Sequence, residues 1–204
     1  MSKRLRLSRD NFSALVDKAF EVLLMEGVIA YPTETLYGLG ALVSRPGAIE
    51  RIRKIKSKTE PILILVKGVE MAERYVEIDQ RAKRLIDHFW PGPLTLILPA
   101  KLGMAEEVRA DSEGIGIRWS GEPFAQALVE RAFEPITSTS VNRSGEPPLT
   151  DPEEIENQLG SELDLIIDAG TRSGPASTVL SLLGDEPELI REGVIKFDDL
   201  KRFF

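Results

Sequence analysis

The chain has 204 residues, of which 42% are hydrophobic and 29% charged, a composition that supports a buried core and excludes an intrinsically disordered protein. It contains no cysteine, which excludes disulfides, thiolate zinc sites and a cysteine nucleophile, and its single histidine, His88, argues against a histidine-based metal site or triad. The formal net charge of −7 argues against broad nucleic-acid binding, which depends on a basic surface.

The sequence also bears on where the protein works. No apolar run approaches the ~18 residues that a membrane-spanning helix needs. The N-terminal residues MSKRLRLSRD are basic but are not followed by an apolar segment, so they do not form a secretory signal. The absence of cysteine fits a reducing compartment. We therefore expect a cytoplasmic protein that has no contact with a membrane.

The first half of the chain is predicted to alternate between helices and strands. Apolar residues recur every three or four positions over residues 10–26, which predicts an amphipathic helix that Gly27 ends in a left-handed conformation. Short apolar runs predict strands at residues 28–31, 62–66 and 94–98. Further helices are predicted at residues 46–56, 69–75 and 80–89.

The second half continues the alternation. Helices are predicted at residues 123–133, at residues 152–159 with Asp151 as N-cap, and at residues 198–203. Strands are predicted at 115–119, 135–137, 165–167 and 178–183, with edge strands at 188–191 and 194–195. Because no repeat or long linker interrupts this order, we expect residues 1–204 to form a single α/β domain: one twisted, mixed sheet flanked by helices.

Four polar segments follow predicted strands directly, and ligands of open α/β sheets bind beyond strand ends. The first is residues 33–38, which carry hydroxyls and Gly38. Gly38 is expected to let the backbone approach closely, and Gly38 and Gly40 are expected to turn the backbone away. The alternative is that Thr33 caps a short turn and the flanking tyrosines belong to the core. For Glu34 we expect only the role of a solvated or capping carboxylate.

The second polar segment is basic, with five cations between residues 51 and 58. One interpretation is a solvated helix face whose positive end complements the helix dipole, and this covers Arg51, Arg53 and Lys54. Lys56 and Lys58 lie past the last apolar helical position and just before a predicted strand. These two lysines could instead hold an anion.

The third and fourth segments carry further donors. Residues 138–145 contain four hydroxyls, an amide and a guanidinium, which could bind carboxylate or phosphate oxygens. The alternative is that this segment is only a loop rich in turn-forming residues. Arg191 follows the apolar residues Leu189 and Ile190, and Arg118 lies between Ile117 and Trp119, so each either extends to solvent or meets a buried anion. Neither a P-loop nor a Rossmann fingerprint is present, so a nucleotide would have to bind in another way.

In their order along the chain, these segments resemble the YrdC/YciO family, whose active members are L-threonylcarbamoyladenylate synthases. The resemblance extends from about residue 10 to the C-terminus and implies a single-domain form with an open α/β fold and a concave, partly basic cavity. The motifs that carry it are YPTETLYGLG, Lys56-Ser57-Lys58, FWPGPLTLIL, GIGIRW, STSVNRSGEPP, GPASTVL and IREG.

The resemblance implies a reaction in which ATP, L-threonine and bicarbonate give threonylcarbamoyl-AMP and pyrophosphate. A separate tRNA threonylcarbamoyl-transferase complex would then modify N6 of adenosine 37 in tRNA. Mg²⁺ is expected to accompany ATP and to be held mainly by the phosphates, with no protein metal ligands and no organic prosthetic group.

The resemblance also implies site residues. Those expected to be catalytic and to bind ATP are Lys56, Lys58, Ser140 and Asn142, and Arg191 joins them in binding ATP. Those expected to bind threonine are Thr33, Tyr37, Arg118 and Ser138. The chain departs at three positions from the residues usual in the family: Lys58 replaces the usual arginine, Val141 replaces the usual alanine, and Leu65 stands where some members have histidine.

Two other functions are open. One is a YciO-like paralogue that binds RNA or nucleotide, with contact to tRNA or double-stranded RNA, and lacks full synthase activity. The other is a nucleotide-binding paralogue that uses a different amino acid or acyl acceptor. The net charge of −7 and the single short basic cluster favour the enzyme over an RNA-binding module.

Overall fold

A computed structural model describes residues 3–57, 61–103 and 106–204. Its strands are β1 Lys3–Arg6, β2 Ile29–Pro32, β3 Tyr37–Gly40, β4 Ile64–Leu65, β5 Leu94–Pro99, β6 Gly114–Arg118, β7 Ile136–Thr137, β8 Thr139–Ser140, β9 Leu165–Asp168, β10 Thr178–Ser181 and β11 Glu188–Arg191. Its helices are α1 Phe12–Leu24, α2 Pro46–Lys56, α3 Val69–Ala72, α4 Gln80–Phe89, α5 Glu106–Arg109, α6 Pro123–Ala132, α7 Pro152–Leu159 and α8 Phe197–Leu200, followed by a 3₁₀ helix, Lys201–Phe203.

The mixed α/β class predicted from the sequence is confirmed, but the described strands form two sheets instead of one. One sheet has the order β1-β9-β2-β3-β8 and the other the order β11-β10-β5-β6-β4-β7. Each sheet contains both parallel and antiparallel pairs. Hydrophobic periodicity identifies strands but not their partners, which are set by contacts between distant parts of the chain.

The helices with clear start signals lie where the sequence predicts them. Helices α2, α4 and α7 have the predicted bounds. The Asp79 side chain accepts a hydrogen bond from the backbone N–H of Ala82 at the start of α4, and Asp151 accepts one from Glu153 at the start of α7. Side-chain caps of this kind satisfy backbone donors that have no partner within the helix.

The prediction that Gly27 ends α1 in a left-handed conformation is wrong. Glu26 adopts that conformation, with φ of 57°. Gly27 instead passes close to the last turn of the helix, where its N–H donates to the carbonyl oxygen of Val22. A Cβ atom at Gly27 would lie 2.4 Å from Val22 Cγ1, so the glycine is required by close approach and not by its backbone angles.

The sheet edges differ most from the prediction. Strand β1 was not predicted, because the charged residues KRLR on a short edge strand give no apolar run. Residues 194–195 were predicted as a strand but are not one. Thr178 Oγ1 donates to the carbonyl oxygen of Ile195 at 2.6 Å and accepts from its N–H at 3.0 Å, so a side chain occupies the place of a neighbouring strand.

The core positions the polar strand ends. Buried residues form two hydrophobic clusters, and the larger contains residues of both sheets, such as Ala30 and Leu39 from one and Leu96 and Ile117 from the other. The two sheets are therefore packed through a shared core, and the β2–β3 turn lies against β6 of the second sheet. Among the residues that the structure describes, no helix is both long and apolar enough to cross a bilayer.

Candidate active site

One cavity of about 240 Å³ lies where the strand ends of the two sheets meet. Six residues that the resemblance assigns to substrate binding line it: Thr33, Tyr37, Arg118, Ser138, Ser140 and Arg191. Lys56 and Asn142 reach the same place through their hydrogen bonds with Ser140. Lys58 lies outside the described residues. The structure thus brings together every predicted site residue that it describes.

The turn that follows β2 is organised by Thr33. Its hydroxyl donates to the carbonyl oxygen of Leu36 at 2.6 Å and accepts from the N–H groups of Thr35 and Leu36 at 3.3 and 3.2 Å. The side chain therefore caps the turn, as one of the two interpretations held, while both Thr33 and Thr35 line the cavity. Thr35, which the sequence did not single out, presents its hydroxyl to Arg118.

The prediction that Gly38 and Gly40 turn the backbone away is wrong. Gly38 and Gly40 lie within β3, which pairs with β2 as an antiparallel hairpin. A Cβ atom at Gly38 would lie 2.7 Å from Ser138 Oγ. Gly38 thus lets Ser138 come close to the hairpin at the cavity wall.

Tyr37 connects the hairpin to the loop after β9. Its hydroxyl donates to the carbonyl oxygen of Gly170 at 2.8 Å and accepts from the N–H of Ala169 at 2.9 Å. Burial raises the pKa of Tyr37 to about 12. Its ring is a wall of the cavity, and its hydroxyl is committed to the loop.

Lys56 ends α2 and bonds to two residues of the third polar segment. Its Nζ donates to Asn142 Oδ1 at 2.6 Å and to the carbonyl oxygen of Ser140 at 3.0 Å. Ser140 Oγ donates to the same Asn142 oxygen at 2.6 Å. Asn142 is buried, and its amide group donates to the carbonyl oxygens of Arg143 and Glu146. A cation, a hydroxyl and an amide are therefore fixed together at the cavity.

The other described cations of the basic segment contribute to packing at the surface. Arg51 Nη1 lies 2.8 Å from Asp164 Oδ2, which joins α2 to the residue before β9. Lys54 Nζ lies 3.6 Å from Glu50 Oε1 on the same exposed helix face. These contacts agree with the assignment of Arg51 and Lys54 to a helix surface.

Arg118 is buried and faces an anion supplied by the protein. Its Nη1 lies 3.6 Å from Glu34 Oε1 and donates to Thr35 Oγ1 at 3.2 Å. The other oxygen of Glu34 accepts a hydrogen bond from Ser120 Oγ. The prediction that Glu34 is only a solvated or capping carboxylate is therefore wrong. Since Glu34 and Arg118 lie far apart in the chain, no local pattern of residues could have paired them.

Arg191 brings a second guanidinium to the cavity. Its Nε and Nη2 donate to the carbonyl oxygen of Ser177 at 3.1 and 3.0 Å, and Nη2 also donates to Ser177 Oγ at 3.1 Å. Burial lowers the pKa of Arg191, and the nearby charge of Arg118 lowers it further. Two arginines thus share one cavity, a concentration of positive charge that favours an anionic ligand.

Two buried polar atoms of residues that line the cavity make no hydrogen bond to any described residue: Ser138 Oγ and Arg118 Nε. Buried polar atoms in folded proteins are nearly always hydrogen-bonded, so atoms without partners beside a cavity indicate a polar ligand. The donors that line the cavity are hydroxyls and guanidinium groups, which suit carboxylate and phosphate oxygens.

Across residues 3–57, 61–103 and 106–204, no three His, Cys, Asp or Glu side chains are grouped closely enough to hold a metal ion. Mg²⁺ prefers oxygen ligands from carboxylates and phosphates. A magnesium ion that enters with ATP and is held mainly by its phosphates stays a prediction.

Comparisons with known proteins support the family that the sequence resembles. The model of the family of Sua5, YciO and YrdC, described as "Telomere recombination", matches residues 21–193. The threonylcarbamoyl-AMP synthase of Bacillus subtilis is 35% identical over 191 residues, covering 91% of this chain and 55% of that protein. The uncharacterized protein YciO of Escherichia coli is 34% identical over 193 residues, covering 93% of this chain and 92% of that protein.

A solved structure shares the fold over the whole length of the chain. The crystal structure of P. abyssi Sua5 complexed with L-threonine matches with a TM-score of 0.90 and 29% identity, covering 100% of this chain and 60% of that one. The chain thus spans about half the length of the B. subtilis synthase and nearly all of YciO.

Proposed function

This chain belongs to the Sua5, YciO and YrdC family, and we propose that it joins ATP, L-threonine and bicarbonate into threonylcarbamoyl-AMP with release of pyrophosphate. The threonine amine takes up bicarbonate with loss of water to give a carbamate. A carbamate oxygen attacks the α-phosphorus of ATP, and pyrophosphate leaves. The name of the B. subtilis relative and the threonine bound to P. abyssi Sua5 support this assignment.

The observation that carries the proposal is the position of Lys56. Its ammonium group is fixed by Asn142 and Ser140, and Ser140 lines the same cavity as Arg118 and Arg191. One cation about 4 Å from a phosphate charge contributes roughly 4 kcal/mol at an effective dielectric of about 20, so a triphosphate requires several. Lys56 and Arg191, together with Lys58, would bind ATP and stabilise the charge that develops on the departing pyrophosphate.

Threonine is proposed to bind on the hairpin side of the cavity. The guanidinium of Arg118 has an unpartnered Nε among the described residues and can take the threonine carboxylate with two parallel hydrogen bonds. Ser138, whose hydroxyl makes no hydrogen bond there, and Thr33 would orient the amino acid, with Tyr37 as the wall. Thr35 joins this group, because it bonds to Arg118 and lines the cavity.

Magnesium is proposed to enter with ATP. When bound, the ion would neutralise part of the triphosphate charge and polarise its oxygens. Its ligands would come mainly from the phosphate oxygens, while Ser140 and Asn142, which bond to Lys56, would position the phosphates or the carbamate. The lysine and arginine groups would bind the remaining phosphate oxygens.

The proposed product also implies a partner and a cellular location. Threonylcarbamoyl-AMP is a reactive mixed anhydride, so a tRNA threonylcarbamoyl-transferase complex is the proposed recipient of the threonylcarbamoyl group. The proposed location is the cytoplasm, where ATP and tRNA are available.

A second function is favoured by one comparison. E. coli YciO, which carries no assigned activity in its name, matches this chain over 92% of its length, whereas the chain spans only 55% of the B. subtilis synthase. A YciO-like paralogue would bind nucleotide or RNA in the same cavity without completing the synthase reaction. Tight tRNA or double-stranded RNA binding without pyrophosphate release would support this alternative.

The proposed synthase reaction is tested by measuring pyrophosphate release from purified protein. Release is expected only when ATP, magnesium, L-threonine and bicarbonate are all present, because the carbamate must form before the adenylyl group is transferred. Release that does not depend on threonine would show ATP hydrolysis instead. Release that occurs equally with other amino acids would support a paralogue of different substrate specificity.

A further inference from the structure

We propose that Glu34 is a positioning residue that holds Arg118 in place for the carboxylate of the amino-acid substrate. This inference rests on the proposed function, since it assigns the carboxylate to Arg118. Arg118 lines the cavity and Glu34 does not, so the glutamate lies behind the arginine and acts on a ligand through it.

Glu34 is itself held from the second sheet. Ser120, just after β6, is buried, and its Oγ donates a hydrogen bond to Glu34 Oε2. The same Ser120 oxygen accepts from the N–H of Glu122 at 3.2 Å, so the hydroxyl is fixed from two sides. The second carboxylate oxygen of Glu34 is thereby directed at Arg118 Nη1, 3.6 Å away.

The burial of Arg118 gives this contact its importance. The Arg118 side chain is only 3% exposed, and a buried guanidinium loses the solvation that water would provide. Among the described residues, Glu34 is the carboxylate that pairs with it, and Thr35 supplies a neutral acceptor. Both come from the β2–β3 turn, so the turn fixes the charge and the orientation of the guanidinium together.

The contacts of Arg118 leave the Nε edge of its guanidinium group available to a ligand. Glu34 and Thr35 both face Nη1, whereas Nε makes no hydrogen bond to a described residue. A carboxylate binds a guanidinium best through two parallel hydrogen bonds, which require the planar fork to be correctly aimed. If Glu34 no longer reached Arg118, the fork would be free to rotate and the carboxylate would bind less tightly.

Removing the charge of Glu34 would mix two effects, because the glutamate also repels a substrate carboxylate. Two substitutions avoid this. Glu34→Asp keeps the charge but withdraws it by one methylene, and Ser120→Ala removes the hydroxyl that holds Glu34 without changing any charge. Glu156→Asp is the matched control, since Glu156 Oε2 pairs with Arg4 Nε at 3.0 Å and Glu156 does not line the cavity.

The experiment is calorimetric titration of wild type and the three variants with L-threonine and, separately, with magnesium–ATP. We expect Glu34→Asp and Ser120→Ala each to bind L-threonine about tenfold more weakly, a loss typical when the partner that orients a ligand-binding side chain is removed. ATP affinity is expected to stay within about twofold of wild type in every protein, and Glu156→Asp is expected to match wild type for both ligands.

Each other outcome separates the two hypotheses. If wild type binds threonine and Glu34→Asp binds it equally well, the role of Glu34 is overturned while the proposed function stands. If Glu34→Asp loses affinity for threonine and ATP alike, its role is structural and the positioning proposal is overturned. If wild type does not bind threonine, the proposed function fails and this inference fails with it. Should Ser120→Ala not fold, Glu34→Asp alone decides.

Discussion

Lys56 Nζ donates a hydrogen bond to Asn142 Oδ1 at 2.6 Å, which joins the end of α2 to a residue 86 positions later in the chain. The same amide oxygen also accepts from Ser140 Oγ. The ammonium group is therefore held in one position before any ligand arrives. Pre-organised charge of this kind stabilises a transition state without reorganising during the reaction.

The first prediction concerns Lys56. Lys56→Ala is expected to lower the rate of pyrophosphate release by at least about 100-fold, since removal of one pre-organised donor typically costs that much. The matched control is Lys54→Ala on the same helix, where the ammonium pairs with Glu50 at the surface. The control should release pyrophosphate at the wild-type rate, and circular dichroism should show both variants folded. Equal rates in the two variants would remove Lys56 from the catalytic residues.

The second prediction concerns the planar guanidinium group of Arg191. Arg191→Lys keeps the charge but loses the group that donates to Ser177 through Nε and Nη2, so the KM for ATP should rise about tenfold. Arg81→Lys is the control, because the Arg81 guanidinium also donates to backbone carbonyl oxygens, those of Gly184 and Asp185, but Arg81 does not line the cavity. Steady-state kinetics with varied ATP checks this, and a similar rise in both variants would argue against a specific role in ATP binding.

The third prediction is a pH dependence of stability. Burial raises the pKa of Tyr37 from its ordinary value of 10.0 to about 12, so the folded protein holds this proton more tightly than the unfolded chain. The resulting stabilisation is complete below about pH 10 and is lost as the pH rises from about 10 to about 12. Tyr37→Phe lacks this group, so its free energy of unfolding should decline less steeply over that interval.

Urea unfolding at a series of pH values measures this difference. Tyr31 and Tyr75, whose pKa values are also raised by burial, are present in both proteins and cancel in the comparison. Near neutral pH, Tyr37→Phe should be less stable by about 1 kcal/mol, because the hydroxyl bonds to Gly170 and Ala169 are lost. Parallel pH profiles for wild type and variant would contradict the assignment of the raised pKa to Tyr37.

Helices were predictable from the sequence where local signals mark their ends. Pro46, Asp79 and Asp151 are start signals that act within a few residues, and the helices α2, α4 and α7 begin there. Strand β1 and the division into two sheets were not predictable, because pairing depends on residues such as those of β9, far along the chain. The turn at Thr33 was foreseen as an alternative, since its capping hydroxyl acts within three residues.

The site, like the fold, was predictable from the sequence only in part. Motifs indicated which residues surround the cavity, and the structure places Lys56, Ser140 and Asn142 within hydrogen-bond distance of one another. The partner of Arg118 was not predictable, because Glu34 and Ser120 approach it only when the β2–β3 turn packs against β6. An ion pair between residues of two sheets produces no periodic pattern in the sequence. Lys58 lies outside the described residues, so its role in binding ATP stays a prediction.

Isotope-labelled bicarbonate can show whether the protein makes threonylcarbamoyl-AMP, because the carbonyl carbon of the proposed product comes from bicarbonate. Purified protein is incubated with ATP, magnesium, L-threonine and carbon-13 bicarbonate, and the products are analysed by mass spectrometry. If the proposed reaction is correct, the products include an adduct of threonine and AMP that carries one labelled carbon, and its amount rises at the same rate as the amount of pyrophosphate. An adduct without the label, or ATP consumption with no threonine-containing adduct, would contradict it.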